Sequence, residues 1–72
     1  MSVDGIRDVM NRTPFVPFTI RMPSGARIPV PHRDFALLTP SGRRIFVTRE
    51  DDHVEMIDTL LIEAIEQQAE TL

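Results

Sequence analysis

Two short segments combine histidine with carboxylates, the side chains that often act as a general base or bind a metal ion. His32 and Asp34 stand two residues apart, a spacing that places both on one side only in an extended segment. Asp51, Asp52 and His53 are consecutive and are flanked by glutamates. No third ligand lies near the first group, and adjacent acids in a turn point apart into water. We therefore expect two turns whose polar side chains satisfy backbone groups, with no metal site.

No nucleophile accompanies these groups. The chain has no cysteine, and Ser24 and Ser41 lie in Pro-Ser-Gly segments without the strand-to-helix elbow that activates a catalytic serine. Gly25 and Gly42 predict hairpin turns rather than a phosphate-binding loop. We expect neither an enzyme nor a bound cofactor.

Arginine supplies every basic side chain, and the charges are segregated along the chain. Residues 1–49 hold all eight basic residues and three of the eleven acids, whereas residues 50–72 hold the remaining acids and no arginine. Such a chain neutralises itself within the fold, pairs head-to-tail with copies of itself, or presents two solvated faces. The sequence leaves these alternatives open.

Four arginines form a candidate nucleic-acid site. Arg21, Arg27, Arg43 and Arg44 flank the two Pro-Ser-Gly segments, where they would contact phosphates if they clustered into one basic patch. Phe46 in the next strand is able to stack on a base, but we expect it in the core. The net charge of −3 also disfavours binding to nucleic acid.

The elements that position these residues are one helix and a series of short strands. Apolar residues recur at helical spacing from Val3 to Met10, which predicts a helix over residues 3–12, capped by Asp4 and ended before Pro14. Period-two alternation and turn residues then predict the strands. The predicted strands cover residues 18–22, 27–39, 43–48, 53–57 and 61–66.

The segment 58–70 fits two structures. An amphipathic helix is consistent with the spacing of Leu60, Leu61 and Ala64 and with the helix formers that follow. The alternative is a single helical turn at residues 58–60 followed by the strand at 61–66. We favour the strand because a short, curled sheet needs a partner for its edge, and we expect a frayed tail at residues 67–72.

A resemblance to a known family rests on three segments. They are Pro14-Phe15-Val16-Pro17-Phe18, the turn glycine Gly25, and Val30-Pro31-His32-Arg33-Asp34-Phe35. These resemble the Pro-Phe-x-Pro-Phe and Val-x-His-x-x-Phe elements of a family of small uncharacterised bacterial proteins. The closing residues 57–66 also resemble the end of that family, so the likeness covers about residues 3–66. It implies no function. The element order resembles Sm-like and SH3-like small barrels, a likeness of topology that does not carry activity.

These patterns predict one mainly β domain over residues 1–72 with a short N-terminal helix. Its expected form is a five-stranded, strongly bent antiparallel sheet or a small SH3-like or Sm-like barrel. The N-terminus does not resemble a signal peptide, and no apolar run approaches the roughly 20 residues that span a bilayer. We therefore expect a cytoplasmic protein without membrane contact.

The function predicted from the sequence is a non-catalytic protein-interaction or self-association module. A chain this short leaves much surface exposed, and association would cover part of it. Leu60, Leu61 and Ile62 form the expected interaction surface within an apolar terminal segment. The alternative function is an Sm-like nucleic-acid-binding protein that uses the four arginines.

Overall fold

The computed structural model describes residues 2–67, which form one helix, six strands and two 3-10 turns. Helix α1 spans Val3–Asn11, and the 3-10 turns span Arg33–Phe35 and Thr59–Leu61. The strands are β1 (Phe18–Arg21), β2 (Arg27–Val30), β3 (Ala36–Leu38), β4 (Arg44–Thr48), β5 (Val54–Asp58) and β6 (Ala64–Glu66). The tail predicted at residues 67–72 lies, after residue 67, outside the described residues.

The strands form two antiparallel sheets, and neither closes into a barrel. Sheet A has the order β2-β1-β6, and sheet B has the order β3-β4-β5. The mainly β class with an N-terminal helix is confirmed, but the five-stranded sheet or barrel is wrong. The predicted strand at 27–39 breaks into β2 and β3, because Pro31 cannot donate to a ladder and the 3-10 turn at Arg33–Phe35 redirects the chain.

The C-terminal segment adopts the turn and strand rather than the helix, as far as residue 67. The Asp58 carboxylate accepts a hydrogen bond from the Leu60 amide at 2.9 Å, which starts the 3-10 turn. The short strand β6 then pairs with β1, placing Ile65 opposite Ile20. This pairing gives the β1–β2 hairpin a third strand, which a two-stranded hairpin needs for stability. The stabilisation gained by pairing exceeds the local preference of these residues for a helix.

The core joins α1 to the inward faces of both sheets. One register row of sheet A sets Ile28, Ile20 and Ile65 side by side, and one row of sheet B sets Leu38, Ile45 and Ile57 side by side. Fully burying one such side chain stabilises the fold by about 1.5–3 kcal/mol. Within residues 2–67, eleven apolar residues are buried: Ile6, Val9, Met10, Phe18, Ile20, Ile28, Val30, Ile45, Val47, Ile57 and Ile62.

Helix α1 starts with a different cap from the one predicted. Ser2, not Asp4, lies at the N-cap, and its hydroxyl accepts a hydrogen bond from the Gly5 amide at 3.2 Å. Asp4 instead lies in the first turn, where its negative charge interacts favourably with the positive end of the helix dipole and stabilises the helix.

Two arginines tie α1 to the segments on either side of β3. Arg33 donates to the carbonyl oxygens of Met10 and Arg12, which lie at the C-terminal end of the helix. Arg7 donates to the carbonyl oxygen of Pro40 at 3.2 Å, beyond the other end of β3. These bonds fix the helix beside the edge strand of sheet B.

Candidate interaction surface

The outer face of sheet B carries an uncovered apolar row. Leu37, Phe46 and Met56 stand opposite one another across the three strands. Leu37 and Met56 are each 64% exposed, and Phe46 is partly buried. Val54, two residues before Met56 on the same face, is 55% exposed. Because neighbours across a sheet lie about 5 Å apart at Cβ, these four side chains form one contiguous patch, called the apolar row below.

The alternation of side chains along each strand explains this surface. Leu38, Ile45 and Ile57 point into the core, so the residue next to each of them points outward. Phe46 is therefore not a core residue, and the prediction that places it in the core is wrong. The sequence signal for the outward position was its place between two buried β-branched residues.

The charged groups on this face are neutralised by each other. Arg44 and Asp58 stand opposite in register, with 3.5 Å between Nη1 and Oδ2. The Thr48 hydroxyl donates to the carbonyl oxygen of Phe35 at 3.3 Å. The face is thus apolar in its centre and carries one internal ion pair at its rim.

Ion pairs cover the outer face of sheet A instead. Arg21 contacts Glu63 at 2.8 Å and Glu66 at 3.2 Å, and Arg27 contacts Glu66 at 2.9 Å. The hydrogen bond from Arg27 lowers the pKa of the Glu66 carboxyl, and the same bond raises the pKa of Arg27. Here the acidic C-terminal segment neutralises arginines from the basic part of the chain.

The predicted arginine site is divided between the two sheets. Arg21 and Arg27 stand opposite each other in sheet A, whereas Arg44 begins β4 in sheet B. These three arginines pair with carboxylates, and Arg43 is the member of the set without an ion pair in the described part of the chain. A nucleic acid would have to displace carboxylates at three of the four positions.

The predicted apolar contact at residues 60–62 is only partly exposed. Leu60 is 53% exposed and Leu61 is 61% exposed, since both lie in the 3-10 turn. Ile62 is 3% exposed and belongs to the core, so in this fold it does not contribute to a surface. The chain straightens after the 3-10 turn to enter β6, and this directs Ile62 inward.

The histidine–carboxylate segments serve as turns. The His32 ring lies against Phe35, with 6.0 Å between ring centroids. The Asp51 carboxylate accepts from the His53 amide at 3.1 Å, and the His53 Nε2 atom lies 3.6 Å from a Glu55 carboxylate oxygen. Within residues 2–67, no group of three or more potential ligands converges on a metal site.

Comparisons with known proteins add no relative. No protein-family model matches the sequence, and neither a curated protein nor a solved structure matches it. The resemblance to a family of small bacterial proteins therefore stays a prediction. None of the described helices is long and apolar enough to cross a membrane.

Proposed function

We propose that this chain is a non-catalytic protein-interaction module that self-associates through the outer face of sheet B. The observation that carries the proposal is the apolar row, which presents large side chains from three strands. An exposed apolar patch with a polar rim is typical of protein-contact sites. The outer face of sheet A offers a contrast, because its ion pairs already satisfy the groups there.

A second copy of the chain fits this face in charge and geometry. Among the described residues, the one ion pair on this face is internal, so two copies meet without unpaired charges of the same sign. Sheets pack face to face at about 10 Å with interdigitating side chains. A two-fold axis through the centre of the apolar row would let each copy present the same residues to the other.

The expected affinity is modest. A standard interface buries about 800 Å² on each partner, and the whole chain exposes 4988 Å². Four side chains supply only part of such an interface, so we expect a dimer with a dissociation constant of about 1–100 μM.

The nucleic-acid alternative has less support. Salt-dependent binding to nucleic acid requires arginines that are free to neutralise phosphates, which releases the counterions condensed on the nucleic acid. Arg21, Arg27 and Arg44 already contact carboxylates at 2.8–3.5 Å. We therefore place self-association first.

Sedimentation equilibrium over a range of concentrations tests the proposal with a matched pair of variants. Met56→Glu adds a charge to the apolar row, and Leu61→Glu adds one to an apolar side chain of nearly equal exposure outside the row. Like charges brought together in an interface cost several kcal/mol, so Met56→Glu should weaken the dimer at least a hundredfold. Leu61→Glu should leave it unchanged.

Two results would contradict the proposal. The first is a wild-type chain that stays monomeric at millimolar concentration, because such a chain does not self-associate. A dimer lost in Leu61→Glu but retained in Met56→Glu would place the contact at the second 3-10 turn, on the surface predicted from sequence.

A further inference from the structure

An open groove of about 370 Å³ runs between α1 and the edge strand β3. Met10 and Asn11 line its helix side, and residues 36–39 line its strand side. Arg7 and Arg33 also line it, one toward each end of β3. The groove shares only Leu37 with the apolar row, so its use does not depend on the proposed self-association.

The strand side of the groove offers unpaired backbone groups. The Thr39 amide donates to the Arg44 carbonyl at 2.9 Å, which makes Thr39 and Arg44 a hydrogen-bonded pair of the β3–β4 ladder. Hydrogen-bonded and non-hydrogen-bonded pairs alternate in antiparallel strands, so the amide and carbonyl of Leu38 point away from β4. In the described part of the chain no other backbone group bonds them. An extended segment could therefore add to this edge.

The charge of the groove indicates which kind of extended segment would bind there. Five arginines have carboxylate partners, and within the described residues Arg7, Arg33 and Arg43 have none. Two of these three line the groove, and none of the acidic residues among 2–67 lines it. The unneutralised positive charge of the fold is thus concentrated where the backbone edge is open.

We infer that this groove binds an extended acidic segment of a partner protein as an added strand beside β3. Side chains on one face of that strand would lie toward α1 and the two arginines, so these positions are acidic. Side chains on the other face would lie next to Leu37, so these positions are apolar. The partner segment therefore alternates acidic and apolar residues over about five positions, the length that matches β3 with its flanking residues.

The test uses a capped peptide, Glu-Val-Glu-Val-Glu, with a fluorophore for anisotropy measurements. It should bind the wild-type chain, and the peptide Lys-Val-Lys-Val-Lys should bind at least tenfold more weakly. Two N-methylated versions then examine the added strand, one blocking all the glutamate amides and one blocking all the valine amides. Alternate amides of a strand point to opposite sides, so one version should lose at least tenfold in affinity and the other should retain it.

A matched pair of variants locates the site. Arg7→Gln removes a groove charge and should weaken binding of the acidic peptide about threefold, as expected for an exposed ion pair. Arg43→Gln removes the unpaired arginine that lies outside the groove and should have no effect. Protection of the Leu38 amide from hydrogen exchange on peptide binding gives a readout that does not rely on substitution.

Several results would overturn the inference. These are absence of binding at millimolar peptide, equal binding of the lysine peptide, equal effects of the two N-methylations, or an unprotected Leu38 amide. The Met56→Glu variant should still bind the acidic peptide even if the variant is monomeric. A failure of the self-association proposal is therefore distinguishable from a failure of the groove proposal.

Discussion

The two Pro-Ser-Gly turns, at residues 23–25 and 40–42, share a sequence but not their surroundings. Both glycines have positive φ, 92° at Gly25 and 76° at Gly42, and both amides bond a carbonyl three residues earlier. A Cβ atom at Gly25 would meet no atom of the described residues within 4 Å, whereas one at Gly42 would lie 2.2 Å from the Val3 Cγ1 atom. The tripeptide sets the local turn in both places, and tertiary packing alone distinguishes them.

This difference matters for the groove. The second turn lies under α1, where Arg7 reaches the carbonyl of Pro40. Its missing side chain lets Val3 approach, so the turn helps to hold the helix wall of the groove beside β3. The first turn only closes the β1–β2 hairpin and is exposed to solvent. Damage to the second turn should spread to the helix, and damage to the first should stay local.

The largest expected effect comes from alanine at the two glycines. Gly42→Ala places a methyl group against Val3 and an unfavourable φ on alanine, so we expect a loss of about 3 kcal/mol in the free energy of unfolding. Gly25→Ala meets only the φ penalty and should lose about 1 kcal/mol. Urea unfolding followed by circular dichroism measures both.

A second substitution sharpens this test. Val3→Ala removes the Cγ1 atom that a Cβ at residue 42 would meet. Combined with Gly42→Ala it should recover part of the loss, giving a coupling energy of about 1 kcal/mol in a double-mutant cycle. Additive losses would show that packing under α1 does not distinguish the two turns.

A buried hydrogen bond gives the next largest effect. The Thr59 hydroxyl is fully buried and donates to the carbonyl of Gly42 at 2.6 Å. Thr59→Val keeps the shape but leaves this carbonyl without its partner, so we expect a loss of about 1–3 kcal/mol. Thr48→Val removes a less buried bond of 3.3 Å to Phe35 and serves as the control. Equal losses in the two variants would argue against a special role for the second turn.

The sequence predicted these turns correctly as local structures. Glycine takes a positive φ without steric cost, so the Pro-Ser-Gly segments predict turns at Gly25 and Gly42, and both turns are confirmed. Nothing in the tripeptide indicates which copy α1 will cover. The break of the predicted strand at 27–39 also depends on tertiary structure, since Pro31 marks only an edge or a strand end, and Arg33 of the 3-10 turn bonds carbonyls at the end of α1.

The candidate surfaces were less predictable for the same reason. The outward direction of Phe46 follows from strand alternation and was available in the sequence. The register that brings Leu37 and Met56 beside it was not, because it depends on how three strands pair. Likewise, the sequence shows the basic and acidic segments. It does not show that Arg21 pairs with Glu63 and Glu66, because that pairing depends on β6 lying beside β1.

A third turn, at residues 50–52, extends the comparison and carries a smaller effect. The Asp52 amide bonds the Arg49 carbonyl, and Asp52 has φ of 65°, the role that Gly25 plays in the first turn. Asp52→Gly should therefore stabilise the fold by about 0.5–1 kcal/mol in urea unfolding. Asp51→Gly removes the same charge but also the carboxylate that accepts from His53, so it should destabilise. Destabilisation by both variants would mean that charge, not backbone conformation, governs this turn.

The smallest effect concerns the β1–β2 hairpin, which contains the solvent-exposed first turn. Arg21 and Arg27 tie this hairpin to Glu66, whose pKa is lowered from its ordinary value of 4.5, chiefly by the hydrogen bond from Arg27. These ion pairs stabilise the fold above that pH, and their contribution is lost as the pH falls through the lower folded-state pKa.

Urea unfolding between pH 6 and pH 2 measures this loss. Glu66→Gln should make the acid dependence less steep than in the wild-type chain, by a small amount because the pairs are exposed. Glu50→Gln removes a carboxylate that makes no ion pair in the described part of the chain, and it should keep the wild-type dependence. Amide signals that change with acid should come from the β1–β2 hairpin, whereas the signal of Gly42, the buried residue of the second turn, should persist until global unfolding. Acid changes that begin at Gly42 would reverse the contrast between the two turns, since the turn packed under α1 would then be the less stable one.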